Sequence, residues 1–224
     1  RRQRQMCIRD RRMMETQMQA LPSNDSKEKT LLEEWKLSIT PVNDEKELRQ
    51  IKRHMGHSAD CFSKAFRVKN SNRDNAFWNY YDKHNYHKED IHYWYHGSRN
   101  MNCLSILHNG LILNPKAPKV GHMFGYGIYL APKAKKSIGY TSLNGSFWVH
   151  GTSDKAYLFV MKTVYKSPYH VYTWTSGMKS LTKSRISPHD AVFAHAGTSL
   201  RNDEVVIFDD AQVTLQYIIE LKQQ

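Results

Sequence analysis

The chain has 224 residues, 40% of them hydrophobic, which is enough for one substantial core and predicts a single domain. No apolar run approaches the roughly 18 residues of a membrane-spanning helix, and no secretory leader is evident, so we expect an intracellular protein, in the nucleus or cytoplasm, with no membrane partner. Three scattered cysteines, Cys7, Cys61 and Cys103, form no C-x-x-C pair and predict neither a disulfide framework nor a structural zinc site.

The formal net charge of +12 is concentrated at the N-terminus, where residues 1–12 carry six arginines and one aspartate, a net +5. A strongly basic chain is typical of proteins that contact nucleic acid. However, the segment from Met6 to Arg11 resembles the translation of a transposon-end sequencing adapter, so we interpret residues 1–12 as an artefact, with a genuine basic tail as the alternative. We therefore expect at most weak nucleic-acid contact.

Residues 1–31 are polar and are broken by Pro22, so they predict an N-terminal arm that precedes a folded domain of residues 32–224. The domain begins with a half-buried strand that Pro41 closes, because apolar residues alternate there with polar ones. The alternating apolar residues are Trp35, Leu37 and Ile39.

Three further elements are predicted before the first motif. A helix begins after Asn43 or Asp44, either of which can cap it, and it carries acidic residues in its first turn and basic residues in its last. Residues 65–68 predict a strand. Residues 72–82, which are rich in aromatic side chains, predict a second helix.

An aromatic strand follows, and its period of two places His92, Trp94 and His96 on one face. Residues 100–109 predict a short helix that ends at Gly110, where a left-handed C-cap favours glycine. The strand therefore presents two imidazoles on a single face just before a helix.

The second half of the chain contains more strand than helix. Pro132 suits the first position of a helix, where its missing N–H would be unpaired anyway, and Ser137 and Tyr140 would share one face of that helix. Residues 156–164 predict a nearly continuous apolar strand, and apolar and polar residues alternate over residues 213–221. Many strands with a few short helices predict an α+β domain.

The most informative motif is residues 121–131, GHMFGYGIYLA, followed by Ser137 and Tyr140. Two close-set glycines, a strand tyrosine and a serine–tyrosine pair are typical of a pocket for a flat aromatic amide. We expect Gly125 and Gly127 to let a ligand approach the backbone closely. The spacing is not that of a dinucleotide-binding G-x-G-x-x-G loop, and no parallel βαβ unit follows, so that function is excluded.

Two further motifs accompany it, YHGSR at residues 95–99 and NDEVVIF at residues 202–208. In this order, the three motifs resemble the catalytic domain of the poly(ADP-ribose) polymerase family, from about Glu34 to Leu221. The resemblance implies an ADP-ribosyltransferase fold, with two packed, mainly antiparallel sheets, flanking short helices and an NAD+ cleft between the sheets.

The resemblance also implies a catalytic triad of His96, Tyr129 and Glu204. His96 would hydrogen-bond the adenosine ribose, and Tyr129 would cover one side of the nicotinamide ring. Glu204 would accept a hydrogen bond from the ribose 2′-OH and stabilise the positive charge that grows on the sugar. The competing acid is Asp203, which lies on the opposite face of the strand.

The implied nicotinamide pocket consists of Gly97, whose backbone would meet the carboxamide, Ser137, which would donate a hydrogen bond, and Tyr140, which would stack on the ring. Met123 is implied on the acceptor side, and residues 114–120 are implied as a loop that covers NAD+. Each remaining position could equally be ordinary surface or packing. The further implied NAD+ contacts are Ser98, Arg99, Asn102, Ala131 and Lys136.

The predicted function is release of nicotinamide from NAD+ and transfer of ADP-ribose to protein acceptors, with chain elongation implied by the retained triad. NAD+ is the donor substrate, no metal is expected, and the catalytic domain is expected to be a monomer. One alternative is a mono-ADP-ribosyltransferase acting on protein or nucleic acid. Another is a non-catalytic module that binds NAD+ or ADP-ribose, although binding alone does not need an acid such as Glu204.

Overall fold

In a computed structural model, the structure describes residues 29–113 and 123–223, and every structural statement refers to them. The helices are α1 (Leu31–Glu34), α2 (Glu45–Met55), α3 (Ser71–Lys83), α4 (Cys103–Asn109), α5 (Ala134–Ile138) and α6 (Lys183–Ile186). The strands are β1 (Leu37–Pro41), β2 (Phe62–Asn70), β3 (Ile91–Gly97), β4 (Ile128–Leu130), β5 (Lys155–Val164), β6 (Pro168–Val171), β7 (Ala191–Ala194), β8 (Glu204–Ile207) and β9 (Val213–Lys222). Short 3-10 helices occupy Gly56–Cys61, Lys88–Asp90, Asn100–Asn102, Ser176–Ser180 and Asp210–Gln212.

The strands form two sheets. The larger sheet has five antiparallel strands in the order β1-β2-β9-β5-β3, and the smaller has four in the order β4-β8-β7-β6. Only β6 and β7 pair in parallel within these sheets. This architecture confirms the predicted α+β class with two mainly antiparallel sheets and short helices. None of the helices in the described part of the chain is long and apolar enough to cross a membrane.

One hydrophobic core lies between the sheets and combines Phe159 and Met161 of β5 with Leu130 of β4 and Ile207 of β8. A second core lies on the opposite face of the larger sheet, where α2 covers β5 and β9. The larger sheet is therefore buried on both faces. The smaller sheet packs against it on one face and carries a third buried cluster, which includes Val192, Ala194 and Val206, on the other.

The sheets also meet through the backbone of Tyr95 and Ala131. The N–H of each residue donates to the carbonyl oxygen of the other, both at 2.9 Å. This pair of hydrogen bonds joins the end of β3 to the residue that follows β4. It brings the first and second motifs of the sequence together.

The sequence predicted most element types, and the caps explain several of them. Asp44 caps α2 by accepting hydrogen bonds from the N–H groups of Lys46 at 2.7 Å and Glu47 at 3.0 Å. Gly110 ends α4 at φ +70°, the positive φ that favours glycine there, although its ψ of −170° is not that of a left-handed helical cap. The capping residues were thus visible in the sequence because their chemistry is local.

Two local predictions are wrong. Trp35 is not in the first strand, because a capping box at Thr30 and Glu33 starts the short helix α1 there and Trp35 ends it. Pro132 does not open α5, which begins two residues later at Ala134. Pro132 and Lys133 form a bend after the bridge between Ala131 and Tyr95, and Lys133, with an extended backbone, is the N-cap, so the helix starts after them.

The alternating residues of β9 do not share one face. Val160 pairs with Tyr217 but Met161 pairs with Leu215, so Gln216 is the extra residue of a β-bulge. The bulge reverses the side-chain direction, and Leu215 lies in the core between the sheets whereas Tyr217 packs against the second core. Binary patterning alone cannot reveal such a reversal.

Several predictions fall outside the described residues. They are the arm of residues 1–31 apart from its last three residues, the artefact assigned to residues 1–12, and the NAD+-covering loop of residues 114–120. The proposed domain boundary at residue 32 therefore stays a prediction.

Candidate active site

His96 lies at the junction of the two sheets. Its Nδ1 is 3.0 Å from the carbonyl oxygen of Tyr129. Because a carbonyl can only accept, Nδ1 carries the proton, and Nε2 of the neutral ring is left as an acceptor. Burial lowers the pKa of His96, although the hydrogen bond to the Tyr129 carbonyl opposes this. The neutral imidazole is thus the stable form near pH 7.

Gly97 follows on the same strand and faces α5. Backbone groups two residues apart on a strand point to the same edge, so the N–H and C=O of Gly97 point to the edge where Tyr95 meets Ala131, away from β5. A Cβ on Gly97 would lie 1.7 Å from the backbone oxygen of Ser137. Glycine is therefore required for β3 to approach α5.

This contact determines what a side chain at position 97 would do. Gly97→Val would exclude a carboxamide from the edge of β3, but it would also disturb the fold. The obstacle is backbone at Ser137, which cannot rotate away as a flexible side chain could. The loss of ligand binding in such a variant could not be separated from displacement of α5.

Tyr129 is held by its hydroxyl group in the turn that precedes β4. The hydroxyl accepts from the N–H of Phe124 at 2.9 Å and donates to the carbonyl of Gly125 at 2.8 Å. Burial raises the pKa of Tyr129, and the negative charge of Glu204 adds to this effect. Tyr129 is therefore a neutral, fixed ring within electrostatic reach of the glutamate.

Glu204 is the first residue of β8 and forms an ion pair with Lys136 of α5, through its Oε1 and the lysine Nζ. The two side chains are only 12% and 11% exposed. The charge of Glu204 also contributes, after burial, to the raised pKa of Tyr140. Lys136 was predicted only as a secondary position, and the structure places it directly against the predicted catalytic acid.

The neighbouring acid, Asp203, has a different partner. Its Oδ1 accepts a hydrogen bond from the N–H of Ala196 at 2.7 Å, which closes the loop between β7 and β8. Glu204 is in phase along the strand with Val206 and Phe208, which pack in one cluster with Tyr129 at its side. The two acids are thus directed apart, and Glu204 is the one that faces Tyr129 and Tyr140.

The predicted serine–tyrosine pair does not lie on one helix. Ser137 is in α5 and is 4% exposed, but Tyr140 follows the end of the helix in a turn, where its N–H donates to the carbonyl of Ser137 at 3.0 Å. The ring of Trp148 stacks on Tyr140 with 5.8 Å between centroids and 18° between planes. Sequence reasoning missed Trp148, whose one available signal is an aromatic pair, Phe147-Trp148, within a polar loop.

The remaining predicted contacts surround these residues. Asn102 donates through Nδ2 to Ser98 Oγ at 2.9 Å, and Arg99 between them is exposed. Ala131 is buried and acts through its backbone. The carbonyl of Met123 accepts from Trp174 Nε1 at 2.7 Å, so its backbone is fixed beside Tyr129.

Gly125 and Gly127 do not serve ligand approach in the way that was expected. A Cβ at Gly125, where φ is +81°, would lie 2.0 Å from the backbone oxygen of Leu181, and one at Gly127 would lie 2.3 Å from Val206 Cγ1. The space that these glycines provide is filled by protein. They allow the turn before β4 to pack against β8 and the segment before α6.

No group of three or more histidine, cysteine, aspartate or glutamate side chains in residues 29–113 and 123–223 is arranged to hold a metal ion. The groups gathered at the junction are instead a neutral imidazole, a free backbone edge, two tyrosines and a buried ion pair. Such a set can hold a flat polar ring, orient hydroxyl groups and stabilise a developing positive charge.

Comparison with known proteins identifies a family whose function agrees with the chemistry of these groups. Residues 44–223 match the family described as poly(ADP-ribose) polymerase catalytic domain. The chain therefore belongs to this family of catalytic domains. Membership confirms the resemblance and the predicted enzyme class, that of NAD+ ADP-ribosyltransferases.

Individual relatives are similar at modest identity. The chain is 31% identical over 147 residues to a poly [ADP-ribose] polymerase of Drosophila melanogaster, which covers 57% of the chain and 15% of the relative. It is 31% identical over 153 residues to poly [ADP-ribose] polymerase 1 of Gallus gallus, and this match covers 57% of the chain and 14% of that relative. The Arabidopsis thaliana poly [ADP-ribose] polymerase 2 is 26% identical over 219 residues, and this match covers 82% of the chain and 33% of that relative. The chain thus spans about a seventh of the first two proteins and a third of the last.

Proposed function

We propose that this chain releases nicotinamide from NAD+, transfers ADP-ribose to a protein acceptor and extends the product into poly(ADP-ribose). The observation that carries the proposal is the position of Glu204. It is a nearly buried carboxylate, paired with Lys136, and its charge reaches both Tyr129 and Tyr140. A module that only binds NAD+ has no need of an acid at this point.

The nicotinamide would bind at the free edge of β3. The N–H and C=O of Gly97 are directed to this edge, and together they match the donor and acceptor of a carboxamide. Ser137 lies against Gly97 and can add a hydrogen bond from its hydroxyl group. Tyr140 and Tyr129 supply the aromatic faces that hold the ring.

His96 would orient the adenosine end of the donor. Its Nε2 is an acceptor because Nδ1 donates to the Tyr129 carbonyl, and it can therefore accept a hydrogen bond from a ribose hydroxyl. Ser98, Arg99 and Asn102 follow at the end of β3 and would contact this same part of the donor. This arrangement holds the adenosine end of the donor without placing a charge on the imidazole.

Glu204 would act at the nicotinamide ribose. Lys136 engages Oε1, so Oε2 can accept a hydrogen bond from the 2′-OH and stabilise the sugar as its bond to nicotinamide breaks. A new bond then forms between the sugar carbon and an acceptor oxygen, and Glu204 assists departure of the acceptor proton. Met123 lies on the side from which the acceptor would enter.

Labelled NAD+ tests the proposal directly. The domain is incubated with NAD+ labelled in the adenylate part, and the protein-bound products are separated by size. We expect a ladder of increasing length on protein. A single ADP-ribose per site would contradict elongation, and binding of NAD+ without release of nicotinamide would contradict transfer altogether.

We also propose that the domain acts as a monomer inside the cell, in the nucleus or cytoplasm. Cys61 and Cys103, the two cysteines within the described residues, are both free thiols, which suits a reducing compartment. Burial raises the pKa of Cys103 to about 12, so this thiol is unreactive. Imaging of a fluorescent fusion and light scattering of the purified protein test the two statements.

A further inference from the structure

We propose that Trp148 is a positioning residue for the donor site, because it fixes the plane of the Tyr140 ring on which nicotinamide stacks. The inference rests on the proposed function, in which Tyr140 holds the nicotinamide ring. It concerns a residue outside the three motifs of the sequence, in the loop between α5 and β5.

The first argument is the freedom of Tyr140 itself. It follows the end of α5 in a turn, so its side chain is not set by helix packing as that of Ser137 is. The ring is only half-buried. A tyrosine in such a position needs a neighbouring side chain to select one orientation.

Trp148 provides this neighbour. Its ring stacks on Tyr140 at 5.8 Å and 18°, the offset parallel arrangement that aromatic quadrupoles favour. Phe147 meets Trp148 edge to face at 4.6 Å and 89°. The plane of Tyr140 is thus set by an aromatic contact at the surface of the domain, with Trp148 48% exposed and Phe147 62% exposed.

Trp148 is itself held in place by contacts with the backbone of Gly139, so it can fix the orientation of Tyr140. Its N–H donates to the carbonyl of Gly139 at 2.9 Å. A Cβ on Gly139 would lie 2.9 Å from Trp148 Cδ1, so the indole rests directly on the backbone next to Tyr140. Glycine at position 139 is what permits the indole to reach the tyrosine.

The loop that carries Trp148 is closed by its own hydrogen bonds. The N–H of Asn144 donates to the carbonyl of Ser153 at 2.8 Å, and the N–H of Ser153 donates to the carbonyl of Ser142 at 2.9 Å. The N–H of Gly151 donates to Ser146 Oγ at 2.8 Å. Trp148 is therefore presented by a loop with a defined backbone.

The expected consequence concerns binding more than chemistry. Tyr140 would hold nicotinamide in both the ground state and the transition state, so loss of its orientation should raise KM for NAD+ and leave kcat nearly unchanged. An aromatic stack of this kind corresponds to a change of between about twofold and tenfold in affinity.

The test measures benzamide affinity and NAD+ kinetics for Trp148→Phe, which keeps a stacking ring, and for Trp148→Leu, which keeps bulk without a ring. We expect Trp148→Leu to weaken benzamide and raise KM to the same degree, and Trp148→Phe to resemble the unchanged protein. The matched control is Trp78→Ala on α3, which removes a tryptophan of similar exposure, 41%, away from the site. This control should leave both quantities unchanged.

The outcomes separate the inference from the proposed function on which it rests. Tyr140→Ala is measured alongside. If Tyr140→Ala weakens benzamide binding while Trp148→Leu does not, the inferred role of Trp148 is wrong, but the proposed nicotinamide pocket is still supported. If Trp148→Leu and Trp148→Phe weaken benzamide equally, the ring stack is not the cause and the inference is also wrong. If Tyr140→Ala binds benzamide normally, the proposed nicotinamide pocket itself is wrong.

Discussion

The two sheets of this domain are stabilised in different ways. In the larger sheet β5 and β9 have 10 residues each and β2 has 9, so long backbone ladders run through the centre. In the smaller sheet no strand exceeds 4 residues. It depends instead on side-chain packing and on glycines that let neighbouring segments touch, as Gly127 does against Val206.

The difference shows how the candidate site is built. The larger sheet contributes a backbone edge at Gly97, beside the imidazole of His96, since both residues lie at the end of its edge strand β3. The smaller sheet contributes side chains, since Tyr129 is in β4 and Glu204 opens β8. The long hydrogen-bonded strands of the larger sheet fix the position of the edge at Gly97. The short strands of the smaller sheet place Glu204 at the end of a strand, where it is not completely buried.

The largest expected effect distinguishes the two acids at the start of β8. Glu204→Gln should lower kcat by roughly 10²–10⁴, the range typical of a lost general acid–base group, and should leave the affinity for benzamide close to normal. Turnover of labelled NAD+ measures the first quantity and calorimetry the second.

Asp203→Asn is the matched control. It removes one charge at the adjacent position but keeps an oxygen that can accept from the N–H of Ala196. Activity should persist in this variant. If Asp203→Asn were the damaging change and Glu204→Gln harmless, the register of β8 relative to the site would be wrong.

The next effect concerns the ion pair that links the sheets through α5. Lys136→Met leaves Glu204 nearly buried without its partner, and breaking such a pair is expected to destabilise the domain by about 3 kcal/mol. The same substitution in a Glu204→Gln background should be far less harmful, because no charge then remains unpaired. Chemical denaturation of the four proteins in this cycle measures the coupling, and additive effects would show that the pair is not formed.

How far the sequence could predict this site depends on the range of the interactions. Caps such as Asp44 and the acid at Glu204 follow from local patterns and from the family motifs. The contact between Gly97 and Ser137 was not predictable, because it depends on the packing of β3 against α5, 40 positions later in the chain. Trp148 was missed for the same reason, since nothing in the spacing of its loop points back to Tyr140.

A smaller effect tests the dependence of the smaller sheet on glycine. A Cβ at Gly127 would lie 2.3 Å from Val206 Cγ1 and 2.8 Å from the carbonyl oxygen of Ile207, so Gly127→Ala should lower the free energy of unfolding by about 1–3 kcal/mol. Thermal unfolding measures this. Gly177→Ala is the control, because nothing lies within 4 Å of its added methyl group. Equal stability of the two variants would contradict the packing at β4.

The smallest effect concerns pH and the edge of the larger sheet. Burial lowers the pKa of His54, His92 and His96, and two of these lie on β3 while His54 contacts Tyr95 of the same strand. A histidine whose pKa is lower in the folded state takes up its proton more readily when unfolded, so stability should fall as pH drops through the unfolded value of about 6.5.

The acidic groups with lowered pKa values do not change stability in this pH range. Glu33 and Asp44 have lowered pKa values because backbone N–H groups donate to their carboxylates, and their contribution is lost only below about pH 5. We therefore expect Tm to decrease between about pH 7.5 and pH 5.5, and we expect His92→Gln to reduce that decrease. His92 is the choice for this test because it stacks on Tyr165, away from the triad. A His92→Gln protein whose Tm falls as steeply as that of the unchanged chain would show that acid sensitivity does not originate at this edge of the sheet.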